Sequence, residues 1–200
     1  MNKTLTVLFF SVILFSCKPD KITTYYDDGQ VKEVYEYRGD SLKNGAYVLY
    51  TEDGVIIDES NYLDGKLEGE RKIYNAEGQL EIIENYKGNI LDGAYFSYHP
   101  NGQIEQEAQY NNNVLEGVVK MYYPSGALKE EVTFEDSQEN GPFKEYHENG
   151  NLKWEGTYRN GSNEFGLLKK YNEDGELIQK MMCDDRAICT TTWKNEDSLN

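Results

Sequence analysis

Apolar and polar residues alternate in short runs along this chain, and turn-forming residues interrupt the runs at regular intervals. Residues 74–97 show the pattern clearly. One side of the first predicted strand in this unit carries three apolar residues and one carboxylate: Leu80, Ile82, Glu84 and Tyr86. Because the alternation has a period of two, it predicts a β-strand with one covered face. The returning run is less regular, since Tyr95 and Tyr98 have opposite parity, and we predict a bulge or twist within it.

The same pattern recurs with an almost constant step, which is the signature of a repeat array. Glycines mark the step at intervals of 24 or 25 residues: Gly29, Gly54, Gly78, Gly102, Gly126, Gly150 and Gly175. A tyrosine stands four positions before each of these marker glycines: Tyr25, Tyr50, Tyr74, Tyr98, Tyr122, Tyr146 and Tyr171. The register predicts that one supersecondary unit is repeated along most of the chain.

Two kinds of turn separate the predicted strands. The first kind ends at a marker glycine and contains proline in two copies, as in Pro100-Asn101-Gly102. Proline favours the second position of a type I turn, and a left-handed glycine after that turn gives a three-residue hairpin loop with a bulge. The second kind carries dipeptides typical of two-residue hairpin loops: Asp64-Gly65, Gly88-Asn89 and Asn112-Asn113.

Strands joined by turns at both ends predict an all-β fold, an elongated single-layer antiparallel meander of ~24-residue β-hairpin repeats. Equivalent side chains of stacked repeats should lie about 9–10 Å apart, which is two strand spacings. An inner row is predicted to pack as core: Tyr62, Tyr86, Tyr110, Phe134 and Tyr158. A corner row beside the first turns is the candidate binding surface: Tyr50, Tyr74, Tyr98, Tyr122, Tyr146 and Tyr171. The alternative, in which both rows only pack, stays open.

The motif Y-x-x-[DN]-G-x-[LI]-x-x-x-x-x-Y-x-x-G-x-L-x-G recurs over residues 25–178. It resembles the MORN-repeat variant common in bacterial proteins, and the resemblance implies an elongated, twisted single-layer sheet of hairpins. Glu139 departs from it by replacing a leucine, and one extra residue precedes both Gly45 and Gly166, so kinks are expected there. The family includes membrane-associated proteins and antitoxin or immunity partners, but its motif assigns no function to particular residues. The aromatic rows resemble, more distantly, choline- and glucan-binding hairpin repeats.

An apolar run at residues 5–15 precedes Ser16 and Cys17. At about 11 residues the run falls short of the ~20 that span a bilayer, so it predicts an export signal. Leu14-Phe15-Ser16-Cys17 resembles the lipobox of bacterial lipoproteins, which implies cleavage before Cys17 and attachment of lipid to it. An ordinary secretory signal is the alternative. The predicted domains are a signal peptide at 1–16, a lipidated tether at 17–24, the array at 25–178 and a cap at 179–200.

The chain has a formal net charge of −16, and its acidic residues are spread through every repeat. Such a charge is repelled by nucleic acid and by anionic lipid headgroups. We therefore predict no nucleic-acid partner, and contact with a membrane only through the lipid on Cys17. No aspartate follows Cys17 directly, so we expect the outer membrane or the cell surface as the location.

Few residues suit catalysis or metal binding. His99 and His147 occupy the same repeat position two repeats apart, so about 19 Å is expected between them and no single site can use both. Asp-rich corners could hold Ca²⁺ loosely, but they lack the alternating oxygen ligands of a dedicated loop. We predict that the protein is not an enzyme and has no metal or cofactor.

Cys183 and Cys189 have five residues between them, a spacing that suits a closed hairpin. In an oxidising compartment they are expected to form a disulfide that clamps the end of the array and protects its last sheet edge. A metal or redox pair is the alternative.

These observations together predict an exported, lipid-anchored repeat scaffold that presents an acidic, tyrosine-rich surface to a protein or a glycan at the cell envelope. One alternative is an antitoxin or immunity-type inhibitor of a toxin. The other is an envelope scaffold without a single ligand.

Overall fold

A computed structural model describes residues 20–40 and 42–195 of the chain. The predicted signal peptide at residues 1–16, the proposed lipidation site Cys17 and the first part of the tether lie outside the described residues. The described residues form strands and turns in one 17-stranded sheet. They include no helix that is long and apolar enough to span a membrane. The predicted all-β fold is confirmed.

The first nine strands are β1 Asp20–Tyr25, β2 Val31–Arg38, β3 Leu42–Tyr50, β4 Ile56–Leu63, β5 Lys66–Tyr74, β6 Leu80–Lys87, β7 Ile90–Leu91, β8 Gly93–Tyr98 and β9 Ile104–Asn111. The other eight are β10 Val114–Leu115, β11 Gly117–Tyr122, β12 Leu128–Glu135, β13 Gln138–Tyr146, β14 Leu152–Tyr158, β15 Gly166–Tyr171, β16 Leu177–Cys183 and β17 Cys189–Lys194.

Each strand pairs antiparallel with its neighbour in the sequence, as a meander requires. Two strands are interrupted: β7 and β8 both pair with β6, and β10 and β11 both pair with β9. The described sheet is one layer thick, whereas a sandwich packs two sheets against each other. Side chains on each face of this sheet therefore pack against neighbours on the same face.

The first turn has the geometry that its sequence predicts. The amide of His99 donates to the carbonyl of Gln103 (2.8 Å), and the amide of Gly102 donates to the carbonyl of His99 (2.8 Å). Gly102 has a φ of 83°, and all seven marker glycines have positive φ. This pattern is a type I turn closed by a left-handed glycine. The glycine is required because an L side chain is strained in that conformation.

Replacing Gly102 by valine is expected to destabilise the protein by about 1–3 kcal/mol, because a β-branched residue is forced into positive φ. A Cβ at Gly102 would meet no atom within 4 Å, so the cost would come from the backbone alone and not from a clash. Asn101→Asp serves as the control and should be nearly silent. Thermal melts of both variants decide the matter: an unchanged melting temperature for Gly102→Val would refute the turn assignment.

The second turn is a two-residue hairpin loop in four copies. Its two central residues both have positive φ, as a type I′ turn requires: Asp64 and Gly65, Gly88 and Asn89, Asn112 and Asn113, Asp136 and Ser137. These turns also join consecutive repeats. The amide of Leu67 donates to Oδ1 of Asn89 (2.7 Å), and the amide of Asn89 donates to the carbonyl of Leu67 (3.0 Å).

A register shift lies beside each corner tyrosine, and the skipped residue is in the next strand and not in the returning strand, where the parity predicts a bulge or twist. Ser97 pairs with Gln106 and Tyr98 pairs with Ile104, so Glu105 has no partner in the ladder. The same shift occurs at the corner tyrosine of the other hairpins.

Because one residue is skipped, side chains beyond the shift change face. Leu80 therefore lies on the face opposite to Ile82 and Tyr86, and not on the same face as predicted. The corner row and the inner row consequently lie on opposite faces of the sheet.

The inner row lies on the face that we call the aromatic face, and each of its members pairs across strands with a glycine. The pairs are Gly45 with Tyr62, Gly69 with Tyr86, Gly93 with Tyr110, Gly117 with Phe134 and Gly141 with Tyr158. All five glycines have positive φ. A ring beside a glycine covers backbone that has no side chain of its own, which compensates for the missing contact.

The two ends of the array differ in detail from the sequence prediction. Strand β1 begins at Asp20 and pairs with β2, so residues 20–24 of the predicted tether belong to the sheet. Within β1, Ile22 and Thr24 are half-buried and alternate with exposed residues, as expected for a strand with one covered face. At the other end, the predicted cap consists of the end of β16 and of β17, and a disulfide joins Cys183 to Cys189.

Candidate functional site

A line of positions next to the inner row on the aromatic face includes four of its buried apolar side chains, Tyr47, Val119, Phe143 and Leu168. This central line consists of the residue two positions after each glycine that pairs with the inner row, or in the case of Gly166 with Cys183: Tyr47, Arg71, Tyr95, Val119, Phe143 and Leu168. Val119 and its partner Val132 are 1% exposed, and Phe143 and Leu168 are 6% exposed. The inner row itself is only half-buried. The aromatic face therefore has a narrow core flanked by partly open aromatic rings.

Rings of the central line and the inner row contact each other along the array. Tyr47 packs edge-on against Tyr62 with centroids 5.6 Å apart, and Tyr95 packs in the same way against Tyr110 at 5.8 Å. Phe143 stacks on Tyr158 at 4.2 Å. Aromatic pairs at these distances stabilise beyond their buried area. The prediction that the inner row contributes to packing is consistent with this geometry.

The opposite face, here the charged face, carries a ladder of alternating acidic and basic residues. Neighbours across the strands have opposite charge along the run Glu107, Lys120, Glu131, Lys144, Glu155 and Lys169. The ammonium group of Lys169 lies 2.7 Å from the Glu155 carboxylate. Opposite charges at directly paired positions favour this register, so the acidic residues of this face are largely compensated from within.

The corner row lies on the charged face and uses its hydroxyls there. Tyr74 donates to Glu59 (2.5 Å), Tyr146 to Glu131 (3.0 Å) and Tyr171 to Glu155 (2.7 Å). Tyr50 and Tyr98 differ, because Val34 and Ile83 stand where the other copies have the carboxylate. All six corner-row tyrosines proposed as a binding surface are half-buried. The structure thus places them in one row, with hydroxyls that are already engaged in several copies.

Burial and these hydrogen bonds change how the tyrosines titrate. Burial, followed by the hydrogen bond to a carboxylate, raises the pKa of Tyr74 and of Tyr171 to about 12. Burial also raises the pKa of Tyr158 to about 12, and four surrounding glutamates add to the effect. The pKa of six further tyrosines is raised: Tyr47, Tyr62, Tyr86, Tyr95, Tyr122 and Tyr146. The folded array therefore holds these phenolic protons more tightly than the unfolded chain.

The array is expected to unfold in alkali. Above the ordinary tyrosine pKa of 10.0 the unfolded chain loses protons that the folded array keeps, so stability falls as the pH rises through about 12. Tyrosinate absorbance should rise steeply together with loss of the β-sheet circular dichroism signal. Replacing Tyr74, Tyr146 and Tyr171 by phenylalanine should make the loss shallower. A gradual rise of absorbance near pH 10 with an intact circular dichroism spectrum would contradict this account.

An ion pair between Arg71 and Asp58 interrupts the aromatic packing of the central line. Arg71 occupies the central line, and its Nε (2.8 Å) and Nη2 (2.5 Å) donate to the carboxylate of Asp58, which is 8% exposed. Nη1 of Arg71 lies 3.4 Å from Glu84, which also accepts from the hydroxyl of Tyr86 (3.0 Å). Forked donation of this kind is what permits a carboxylate to be buried in a thin core.

Three tyrosines surround the ammonium group of Lys43 in the first repeat. Nζ of Lys43 lies 3.8 Å from the ring centroid of Tyr47, 4.9 Å from that of Tyr35 and 5.3 Å from that of Tyr62. The carboxylate of Glu33 completes the site at 3.4 Å. An ammonium group held by aromatic rings and one carboxylate is a cation–π cage. In this repeat the chain itself supplies the cation.

A cavity of about 330 Å³ opens on the aromatic face near the C-terminal end of the array. Aromatic and apolar residues form most of its wall: Phe143, Trp154, Tyr158, Leu168, Met181 and Cys189. Glu145 and Glu164 also line it. Sequence reasoning missed this site, because its residues come from five strands and a loop and only three-dimensional register brings them together.

The two histidines bond to backbone and are not brought together. Nε2 of His99 lies 2.9 Å from the carbonyl of Tyr122, and Nε2 of His147 lies 3.2 Å from that of Tyr171. Each histidine therefore links its turn to the next repeat. Within residues 20–40 and 42–195 no group of three or more His, Cys, Asp or Glu side chains is arranged to hold a metal ion.

Comparison with known proteins concerns the repeat unit. The family model described as the MORN repeat variant matches four consecutive segments, at residues 67–87, 91–112, 115–136 and 139–160. No curated protein matches the chain significantly. Each matched segment spans one hairpin around a first turn, and β3–β4 and β15–β16 form the same hairpin outside those segments. The chain is therefore a repeat scaffold built from stacked hairpins of this kind.

Proposed function

We propose that this chain is a binding scaffold whose aromatic face contacts a protein partner. One observation carries the proposal: the inner row keeps its rings half-exposed along a single-layer sheet, and no described element covers them. Half-exposed tyrosines in register offer flat apolar surface with polar edges, and such residues are enriched where proteins meet. The stacked repeats hold these rings at fixed intervals.

The corner row is the other candidate surface, and the geometry favours the aromatic face over it. Three hydroxyls of the corner row, those of Tyr74, Tyr146 and Tyr171, already donate to carboxylates, so a partner would have to compete with internal hydrogen bonds there. The acidic residues beside them are matched by lysines of the charged ladder. A partner gains less from groups whose interactions are satisfied internally.

Capture experiments with two pairs of tyrosine substitutions test the proposal. The array is used as bait against solubilised envelopes in three forms: unaltered, with Tyr86→Ala and Tyr110→Ala, and with Tyr98→Ala and Tyr122→Ala. We expect a captured protein to be lost only with the inner-row pair, provided that its residual fold is verified by circular dichroism. Loss only with the corner-row pair, capture of a glycan in place of a protein, or no specific capture at all would overturn the proposal.

We propose further that the scaffold is exported and anchored by lipid on Cys17. The apolar run at residues 5–15 and the lipobox-like residues before Cys17 support this proposal. The disulfide between Cys183 and Cys189 also supports it, since disulfides persist mainly in oxidising compartments.

Replacing Cys17 by alanine is expected to release the protein from membranes into the soluble fraction. The reason is that the acidic array has no other strong hold on a bilayer. Fractionation of tagged protein measures the effect, with Ser16→Ala as a control that should remain in the membrane fraction. Full membrane retention of the Cys17→Ala variant would contradict the anchor.

A further inference from the structure

The cage around Lys43 and the C-terminal cavity occupy equivalent places, four repeats apart, on the aromatic face. Several of their residues correspond in the repeat register, although Tyr35, the third ring of the cage, corresponds to Val132. Tyr47 corresponds to Phe143, Tyr62 to Tyr158, Asp58 to Trp154, Glu33 to Glu130, and Lys43 to Glu139. Both places pair an aromatic residue of the central line with the aromatic residue of the inner row. They differ in sign at one position, where the first copy has its ammonium group and the second has a carboxylate.

The first copy shows which ligand this arrangement accepts. The ammonium group of Lys43 contacts three rings and approaches the Glu33 carboxylate to 3.4 Å. Such contacts become stronger as they are removed from water. The aromatic face therefore binds a lysine side chain by means of ring faces and an adjacent carboxylate.

The second copy has the negative charge, and no cation of the described chain lies over its stacked rings. Glu130 stands directly opposite Glu145 across β12 and β13, which is an unfavourable pairing of like charges. Burial, together with Glu145 and Glu139, raises the pKa of Glu130. Glu130, Glu139 and Glu164 form no ion pair with a basic residue of the described chain. An incoming cation would relieve this repulsion.

Two resident lysines lie near the cavity, but they leave its stacked rings uncovered. Nζ of Lys153 pairs with Glu145 at 2.5 Å, and Nζ of Lys170 lies 4.9 Å from the ring centroid of Trp154. Within the described residues, no lysine or arginine forms a cation–π contact with Phe143 or Tyr158. No basic residue lines the cavity of about 330 Å³.

We infer that the C-terminal cavity binds a lysine side chain presented by the protein partner. The ammonium group would lie beside the ring of Tyr158 and the carboxylate of Glu164, which line the cavity, while Glu130 and Glu139 would act from near that ring. The alkyl stem would pack on Leu168 and Met181, as long cationic side chains do on apolar surface. The inference rests on the proposed function, because it names the side chain by which a partner would engage the aromatic face. The chain's net charge of −16 would also favour the approach of a basic segment.

The test measures binding of a lysine peptide by Trp154 fluorescence. Trp193→Phe removes the other tryptophan and gives the reference protein. The probe is acetyl-trilysine amide, and the same peptide acetylated on its three Nε atoms is the uncharged control. We expect saturable binding of the charged peptide, none of the acetylated one, and at least tenfold weaker binding after Glu139→Lys, which restores the charge found at Lys43.

Glu148→Lys is the matched control, since it makes the same charge change at an exposed turn outside the cavity. It should alter affinity less than twofold at moderate salt. Glu164→Gln, which adds no bulk, should weaken binding severalfold. This variant keeps the test valid if Glu139→Lys does not fold. Equal weakening by Glu139→Lys and Glu148→Lys would reduce the effect to net charge and overturn the inference, as would absence of binding. The capture experiment judges the proposed function separately, because a partner retained by Glu139→Lys would leave that function intact.

Discussion

Replacing Phe143 by alanine is expected to lower the free energy of unfolding by about 3–5 kcal/mol, the range for truncating a large buried aromatic residue. Phe143 is 6% exposed and belongs to the buried cluster with Val132, Leu168 and Cys183. It also stacks on Tyr158. A single-layer sheet has no second core to compensate for the lost contacts, so the loss should be felt throughout the C-terminal repeats.

Phe96→Ala is the matched control because it removes the same side chain from the charged face. Phe96 is half-buried there and lies opposite Ile83. Its truncation should cost about 1–2 kcal/mol, in line with the smaller area removed from water. Denaturant unfolding of both variants supplies the comparison. If both lower stability equally, the aromatic face is not the main core of the array.

The repeat period and both turns could be predicted from the sequence because backbone geometry restricts residue choice there. Positive φ at Gly102 and at the Gly88-Asn89 turn admits few residue types, so glycine recurs in the first turn and only Gly, Asn, Asp and Ser fill the second. Tyr98 keeps its place for a similar reason, beside a register shift that each hairpin repeats. The all-β meander follows from these positions.

The central line could not be predicted because its position recurs but its residue type does not. Tyr47, Arg71, Val119 and Leu168 all occupy it, and no shared letter marks them. Packing in a thin sheet accepts any side chain that fills the space beside its neighbours, including an arginine that pairs with Asp58. The one available signal was the constant distance of two residues from a glycine.

The opposite orientation of the two tyrosine rows also depends on a structural detail. A simple count of alternation from Tyr95 to Tyr98 gives opposite parity but does not say which residue is skipped. The structure assigns the skip to Glu105, in the partner strand. Once this is known, the hydrogen bonds of Tyr74 and Tyr146 to the charged face follow from position.

Glu139 departs from the repeat motif, and the sequence alone did not give the reason. It departs from the leucine of neighbouring repeats, and a kink was the expected consequence. In the structure Glu139 pairs with Phe134 next to a regular two-residue turn, and its equivalent in the first repeat is the caged Lys43. The departure therefore concerns charge at the aromatic face. The extra residue before Gly45 falls in the sequence between β2 and β3, and that before Gly166 lies in the loop at residues 159–163.

Removal of one whole repeat should leave a folded protein, whereas removal of half a repeat should abolish cooperative folding of the array. Deleting residues 74–97 joins Ile73 to Tyr98, so each strand still meets a strand of the same kind and each turn keeps its type. Deleting residues 74–85 joins Ile73 to Tyr86 and removes a first turn without its matching second turn. The faces of all later strands are then out of register with those before them.

Similar hairpins stack along the array, and each contacts mainly its neighbours. Denaturation of the two deletion variants, followed by circular dichroism, tests this claim most directly. We expect the variant lacking residues 74–97 to show a β-sheet spectrum and a cooperative transition at slightly lower stability. The variant lacking residues 74–85 should lose the β-sheet signal of its C-terminal half and show no cooperative transition of that half. Equal loss of structure in both variants would contradict the stacked-hairpin array.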